Sequence, residues 1–233
     1  MKKVISLLLS LAVLLAITSG LNLTAFADTI TGECGDNVTY SLDPETGELT
    51  VRGTGEMYYY LSYNSPFHNN EMIKSVIIED GVTNIGSCAF NECKNLTSVV
   101  IPESVLNIED YAFEECTNLT SLLIPGNVVS IGESVFSSCT NLTNVTIENG
   151  VISIGNFAFY KCTSLTSIVI PDTVTTIGNA AFSCCNNLTS VTIGNGITEI
   201  SDDLFHFCTS LESIEIPNGL LKSVVELFWI VKT

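Results

Sequence analysis

From Ile73 onward the chain repeats itself every 23 residues, six times in succession, without an insertion or deletion. The first unit reads IKSVIIEDGVTNIGSCAFNECKN, and the second, from Leu96, reads LTSVVIPESVLNIEDYAFEECTN. Further units begin at Leu119, Leu142, Leu165 and Leu188, and a partial seventh begins at Leu211 and loses the pattern after Leu220. A period this rigid constrains the fold more than any other feature. One unit is too small to bury its own apolar face, so it must stack on copies of itself and share a core with them.

Apolar residues occupy positions 1, 4, 6, 10, 13, 17, 18 and 21 of each unit. In the unit from Leu165 these are Leu165, Ile168, Ile170, Val174, Ile177, Ala181, Phe182 and Cys185. Positions 3 to 6 alternate with period two, the signature of a strand buried on one face. A second short extended piece follows the Pro171 turn. The Ala-Phe-x-x-Cys segment then predicts a single helical turn with those three side chains on one side. Before the repeats, NVTYSLDPETGELTVRG alternates around Asp43-Pro44-Glu45-Thr46-Gly47 and predicts a β-hairpin. Such a hairpin would cap the first coil. MYYYLSYNSPFHNN, Met57 to Asn70, is an aromatic-rich connection whose tyrosines either pack over that cap or form a ligand cluster. The expected organisation is a leader at 1–27, cap and connection at 28–72, repeats at 73–219, and an atypical tail at 220–233. Leu220, Leu221, Val224, Val225 and Phe228 fall at helical spacing, so the tail reads as a capping helix or as the front of a longer repeat array.

The first residues, MKKVISLLLSLAVLLAITSGLNLTAFADT, carry a basic start, an apolar run from Val4 to Ile17, and the small-x-small site Ala25-Phe26-Ala27. This is the grammar of a secretory signal peptide cleaved before Asp28, and the run is short of the roughly 20 residues that span a bilayer. Losing Lys2 and Lys3 with the leader takes the formal charge from −17 to −19. A surface so acidic repels phosphate backbones and anionic membranes, which argues against nucleic acid and against membrane association after cleavage.

Six of the nine cysteines form a column 23 residues apart: Cys93, Cys116, Cys139, Cys162, Cys185 and Cys208. Zinc needs ligands that converge on one point, and a column does not converge. Its phase matches the core phenylalanine, where a thiol serves as a small hydrophobe. Cys34, Cys88 and Cys184 lie outside the column, and a disulfide among them remains open. Asn-x-Thr at Asn95, Asn118, Asn141 and Asn187 is formally a glycosylation acceptor, but asparagine at position 23 also suits a turn. Glu109-Asp110, Glu114-Glu115 and Asp202-Asp203 are acidic pairs without the ligand loop of a calcium site. His68 and His206 belong to no catalytic constellation in sequence. The chain therefore reads as no enzyme, with no catalytic residues, metal or cofactor.

The L-T-S-V-x-I-P-x-x-V-x-x-I-G-x-x-A-F-x-x-C-x-N unit resembles the leucine-rich repeats of the BspA-like class, from Ile73 to about Leu220. The resemblance implies a curved α/β-type solenoid with a parallel sheet on one face, and a role in extracellular binding or adhesion. The outward strand positions are the candidate partner-binding face: Ser98, Val100, Ser121, Leu123, Asn144, Thr146, Ser167, Val169, Ser190 and Thr192. A secreted or surface-exposed monomer that binds an extracellular protein or glycoprotein is the leading expectation. A structural spacer arm of a larger cell-surface protein is the alternative.

Overall fold

The computed structural model describes residues 28–61 and 64–217; the expected leader at 1–27 and the expected capping helix beyond Pro217 lie outside the described residues. Within them the eight apolar positions of each unit turn inward. Leu119, Ile124, Val128, Ile131, Val135, Phe136 and Cys139 of one coil are all at 1% exposure or less. Each coil makes a strand from position 3, turns at position 7 and returns through a run of tight turns; the coils from Leu96 to Leu165 add a two-residue strand at positions 12 and 13, and the Ile73 coil a longer one at Val82–Ile85. In three coils proline holds position 7, and its carbonyl accepts the N–H three residues on, as in Val128 to Pro125 at 3.1 Å.

Stacking is parallel and in register at the repeat length: Ser121 to Ile124 pairs with Asn144 to Ile147 residue for residue, and Ser167 to Ile170 with Ser190 to Ile193. The short second strands form one continuous six-stranded sheet, and the longer front strands form three hydrogen-bonded groups. Ahead of them, β1 (Ile30–Gly35), β2 (Val38–Leu42) and β3 (Glu48–Gly53) run antiparallel, and β3 passes into the parallel array by pairing with Ser75–Ile78. The hairpin thus covers the first rung. Its turn is held by Asp43, whose carboxylate accepts the Glu45 N–H at 2.9 Å. That bond keeps the Asp43 carboxyl below its usual pKa.

No helix forms where the Ala-Phe-x-x-Cys segment predicts a helical turn. Positions 16 and 20 have positive φ in all six coils, between 52° and 62°, at Cys88, Glu92, Tyr111, Glu115, Ser134, Ser138, Phe157, Lys161, Ala180, Cys184, Asp203 and Phe207. A left-handed residue every fourth position stops a right-handed helix. The hydrogen bonds explain why this arrangement wins. In the coil from Leu96, the N–H groups of Ala112, Glu114 and Cys116 stay home, each bonding a carbonyl three residues back. Those of Tyr111, Phe113 and Glu115 leave for Glu133, Val135 and Ser137 of the next coil at 2.8, 2.9 and 2.8 Å. A helix would keep every donor inside the coil and leave neighbouring coils unjoined. Left-handed backbone costs an L-residue about 1–2 kcal/mol, and the ladder on this side offsets it. None of the twelve residues is β-branched, the class least able to adopt this conformation.

Phenylalanine fills the centre. Phe67, Phe90, Phe113, Phe136, Phe159, Phe182 and Phe205 stack with ring centroids 5.1–5.8 Å apart and planes within 20° of parallel. That spacing follows from the strand separation of about 4.8 Å. Phe67 belongs to the connection before Ile73, so the ladder begins one coil earlier than the repeat, and Tyr40 of the hairpin closes its end edge-on at 4.8 Å. Asn69, with φ 48°, matches position 20 of the coils that follow.

Phe136→Ala removes a middle rung and is expected to cost about 3–5 kcal/mol. Thr146→Ala, on the exposed strand face, is expected to stay within about 0.5 kcal/mol. Chemical denaturation of the two variants checks this; equal losses would contradict the inward placement of position 18.

Candidate functional site

Residues that look chemically able in the sequence are largely consumed by the stacking. Each column thiol donates to the carbonyl of the phenylalanine in the preceding coil: Cys93 to Phe67, Cys116 to Phe90, Cys139 to Phe113, Cys162 to Phe136, Cys185 to Phe159 and Cys208 to Phe182, at 3.0–3.3 Å. At Phe90, Phe113, Phe136 and Phe159 the same carbonyl also accepts the backbone N–H of its own coil's cysteine, for example Cys116 to Phe113 at 3.2 Å. A thiol is small and apolar yet carries a weak donor, so it fills the core and occupies the second lone pair of that carbonyl. Burial raises the thiol pKa to about 12 at Cys93 and well above its ordinary value at Cys116 and Cys162. All nine cysteines are free. Cys88 and Cys184, the one half-exposed thiol, sit four coils apart, roughly 19 Å at the usual strand spacing, which is beyond bridging.

The acidic pairs also serve the stack. Asp110 accepts the Glu133 N–H at 2.7 Å, and Glu114 accepts the Asn91 side-chain amide at 3.1 Å. Burial, then the neighbouring carboxylate, raises the pKa of Glu109 and of Glu114. Asn95 donates to the Glu71 carbonyl at 2.7 Å, and Asn141 to the Asn118 side chain at 3.1 Å, so the Asn-x-Thr asparagines brace one coil against the last. His206 stacks on Phe207 with ring centroids 3.9 Å apart, and its Nδ1 lies 3.8 Å from an Asp203 carboxylate oxygen.

Two surfaces remain. One is a cavity of about 380 Å³ beside the hairpin, lined by Asp36, Asn37, Thr54, Gly55, Glu56, Met57, Tyr58 and Tyr59. The aromatic connection divides here: Tyr60 and Phe67 are buried in the cap, whereas Tyr58 and Tyr59 stay exposed.

The other is the front of the strands. Ser98, Val100, Ser121, Leu123, Asn144, Thr146, Ser167 and Val169 are exposed, and Ser190 and Thr192 are half-buried. Thr192 donates to Glu215 at 3.3 Å. In-register pairing lines up Ile77 with Val100, Leu123 with Thr146 and Val169 with Thr192, so the outward side chains form straight columns. Val100, Leu123 and Val169 are 56%, 52% and 61% exposed, far more than a core role allows. One border of this face is a ladder of threonines at position 2, in which Thr97, Thr143 and Thr189 each donate to the backbone carbonyl one coil back at 2.9–3.0 Å. Within each group the paired strands spend backbone groups on each other, and the outward side chains are what the face offers a partner. A second exposed aliphatic column, Leu106, Val129 and Ile152 at position 11, lies on the adjoining side; the sequence carried its signal as an apolar residue out of phase with the core.

A BspA type leucine-rich repeat region matches the chain in six copies over residues 63–162 and 131–229. Among solved structures, a leucine-rich repeat protein from Bacteroides ovatus is 32% identical with a TM-score of 0.60, over 80% of this chain and 47% of that one. The chain thus spans just under half the length of that protein. The T. pallidum leucine-rich repeat protein is 24% identical with a TM-score of 0.50, over 80% of this chain and 84% of that one. No curated protein matches at a significant level.

At pH 8 the native chain is expected to leave Cys93, Cys116, Cys139 and Cys162 unlabelled by iodoacetamide while Cys184 reacts, with the four accessible only after denaturation. Burial holds their protons in the folded state, and the unfolded chain loses them first. Stability should therefore fall as pH rises past about 8.5. Labelling of Cys139 in the native chain, read by mass spectrometry, would refute both statements.

Proposed function

Because the chain belongs to the BspA-type leucine-rich repeat family, we propose that it is a secreted or cell-surface binding module that engages an extracellular protein through its strand face and catalyses no reaction. The observation that carries this reading is the exposure of Val100, Leu123 and Val169 at the same repeat position of the front strands, beside hydroxyl neighbours that carry no charge. Strand propensity favours Val at such positions but not Leu123, and three aliphatic side chains at the same outward position leave apolar surface open to solvent. A row of them on an exposed face is what an interface needs. The titratable groups that could do chemistry are tied to neighbouring coils, and the leader of 1–27 supplies the route outside. A glycoprotein ligand fits the same face through its polypeptide.

The second reading is a spacer arm, supported by the chain's match to just under half of a longer repeat protein. The two readings separate on one variant. Replacing Val100, Leu123 and Val169 together by Lys is expected to abolish capture of extracellular proteins by immobilised 28–233, with an unchanged circular dichroism spectrum. Full retention of capture would move the function away from the strand face. Secretion has its own check: protein recovered from the medium of expressing cells is expected to begin at Asp28 by mass spectrometry, and retention of residues 1–27 would contradict the leader.

A further inference from the structure

The border of the strand face opposite the threonine ladder is a row of carboxylates. Glu79, Asp80, Glu103, Glu148 and Asp172 follow the front strands at positions 7 and 8, and all five are exposed. Glu148 accepts the Gly126 N–H at 3.1 Å, and Asp172 accepts the Asn195 N–H at 2.8 Å and its side-chain amide at 3.1 Å, which fixes both carboxylates at the rim. Each keeps further lone pairs to offer. Among the described residues, the ion pairs join Lys94 to Glu92 and Glu115, and His206 to Asp203, all on the turn side of the coils. None reaches the rim. Across the face, position 2 is threonine in every coil from Leu96 to Leu188, so over these coils the negative charge lies on one border only.

We infer that the partner seated on this face is a polypeptide segment carrying Lys or Arg beside an apolar ridge, its aliphatic side chains on Val100, Leu123 and Val169 and its cations on Glu103, Glu148 and Asp172. The inference rests on the strand-face reading above and adds the chemistry of what binds there. Charge and shape agree on it. Carboxylates without cations meet an oppositely charged partner at low electrostatic cost and steer its approach. Glu103, Glu148 and Asp172 stand one or two coils apart, roughly 5–10 Å at the usual strand spacing, too far apart to converge on one metal ion at the 2.3–2.6 Å that calcium requires. Separate ammonium or guanidinium groups suit that spacing. The rim runs from the Ile73 coil to the Leu165 coil, about 19 Å, which an extended segment of about six residues spans. Nucleic acid and anionic lipid are repelled by the same row.

Three peptides of about twelve residues test this: alternating Lys-Val, Ser-Val and Glu-Val, titrated against 28–233 by fluorescence anisotropy at about 50 mM and 500 mM NaCl. The Lys-Val peptide is expected to bind at least tenfold tighter than the other two at low salt and to lose that margin at high salt. The rim variant Glu103→Gln, Glu148→Gln, Asp172→Asn keeps the acceptors for Gly126 and Asn195; it is expected to weaken Lys-Val binding about tenfold at low salt and flatten the salt dependence. The stripe variant Val100→Ser, Leu123→Ser, Val169→Ser is expected to weaken binding at both salts. Thermal melts of both variants confirm that each is folded. Equal binding of Lys-Val and Ser-Val, or an unaffected rim variant, overturns the cationic partner and leaves the strand-face reading standing. A rim loss without a stripe loss overturns the strand-face reading itself. Absence of Lys-Val binding at low salt overturns the inference.

Discussion

A coil of this protein cannot satisfy its backbone alone. On the turn side, every second N–H crosses to the next coil, and on the strand side the parallel ladders do the same. The structure depends on this one constraint. It demands that neighbours keep identical length and phase, because a residue gained or lost in one coil would shift each donor off its acceptor along the whole rung. It also fixes the axial rise near the spacing of β-strands, and the core has to be written in residues that tolerate that repeat. Phenylalanine does so by stacking its ring on the ring below. Cysteine does so by being small enough for the same layer while sending its S–H to the carbonyl of the phenylalanine one coil back. The column of thiols is therefore a piece of hydrogen-bonding architecture in the middle of an apolar core.

The same constraint accounts for the backbone strain on the turn side. Twelve residues of the six coils, none of them glycine, sit in left-handed conformation, and no local preference of Glu, Phe, Lys or Ala would place them there. What holds them is the pairing of coils, which converts donors that a helix would use internally into links along the stack. Strain of this kind usually marks a functional site. Here it recurs identically in every coil and belongs to the fold.

A solenoid built this way leaves its surfaces free to vary, since the inter-coil bonds are made by backbone and by a few inward side chains. Along the front strands that freedom is spent unevenly: aliphatic side chains in the centre, threonines on one border, carboxylates on the other. The asymmetry gives the face a direction across the strands as well as along the axis, and a partner must match both. Among the described residues, no ion pair covers Glu103, Glu148 or Asp172 on the carboxylate border.

Several features were fixed by the amino-acid sequence alone, because they follow from periodicity. The 23-residue register, the eight inward positions, the outward strand positions from Ser98 to Thr192 and the hairpin ahead of the coils each repeat a pattern that only one burial arrangement satisfies. Phe67 was legible too, standing one period before Phe90, but its surroundings lack the rest of the motif and disguise it as part of an aromatic connection. The turn side was decided by tertiary structure. Ala112, Phe113 and Cys116 share a side in a helical turn and in a chain of tight turns alike, so seven residues of pattern cannot separate the two. The choice was made by hydrogen bonds to Glu133, Val135 and Ser137, which belong to another coil and have no expression in local sequence. For the same reason the role of the thiols waited on the stack: phase placed Cys116 in the core, but only the coil beneath it supplied the Phe90 carbonyl that makes a cysteine, and not merely a small hydrophobe, the residue suited to that site.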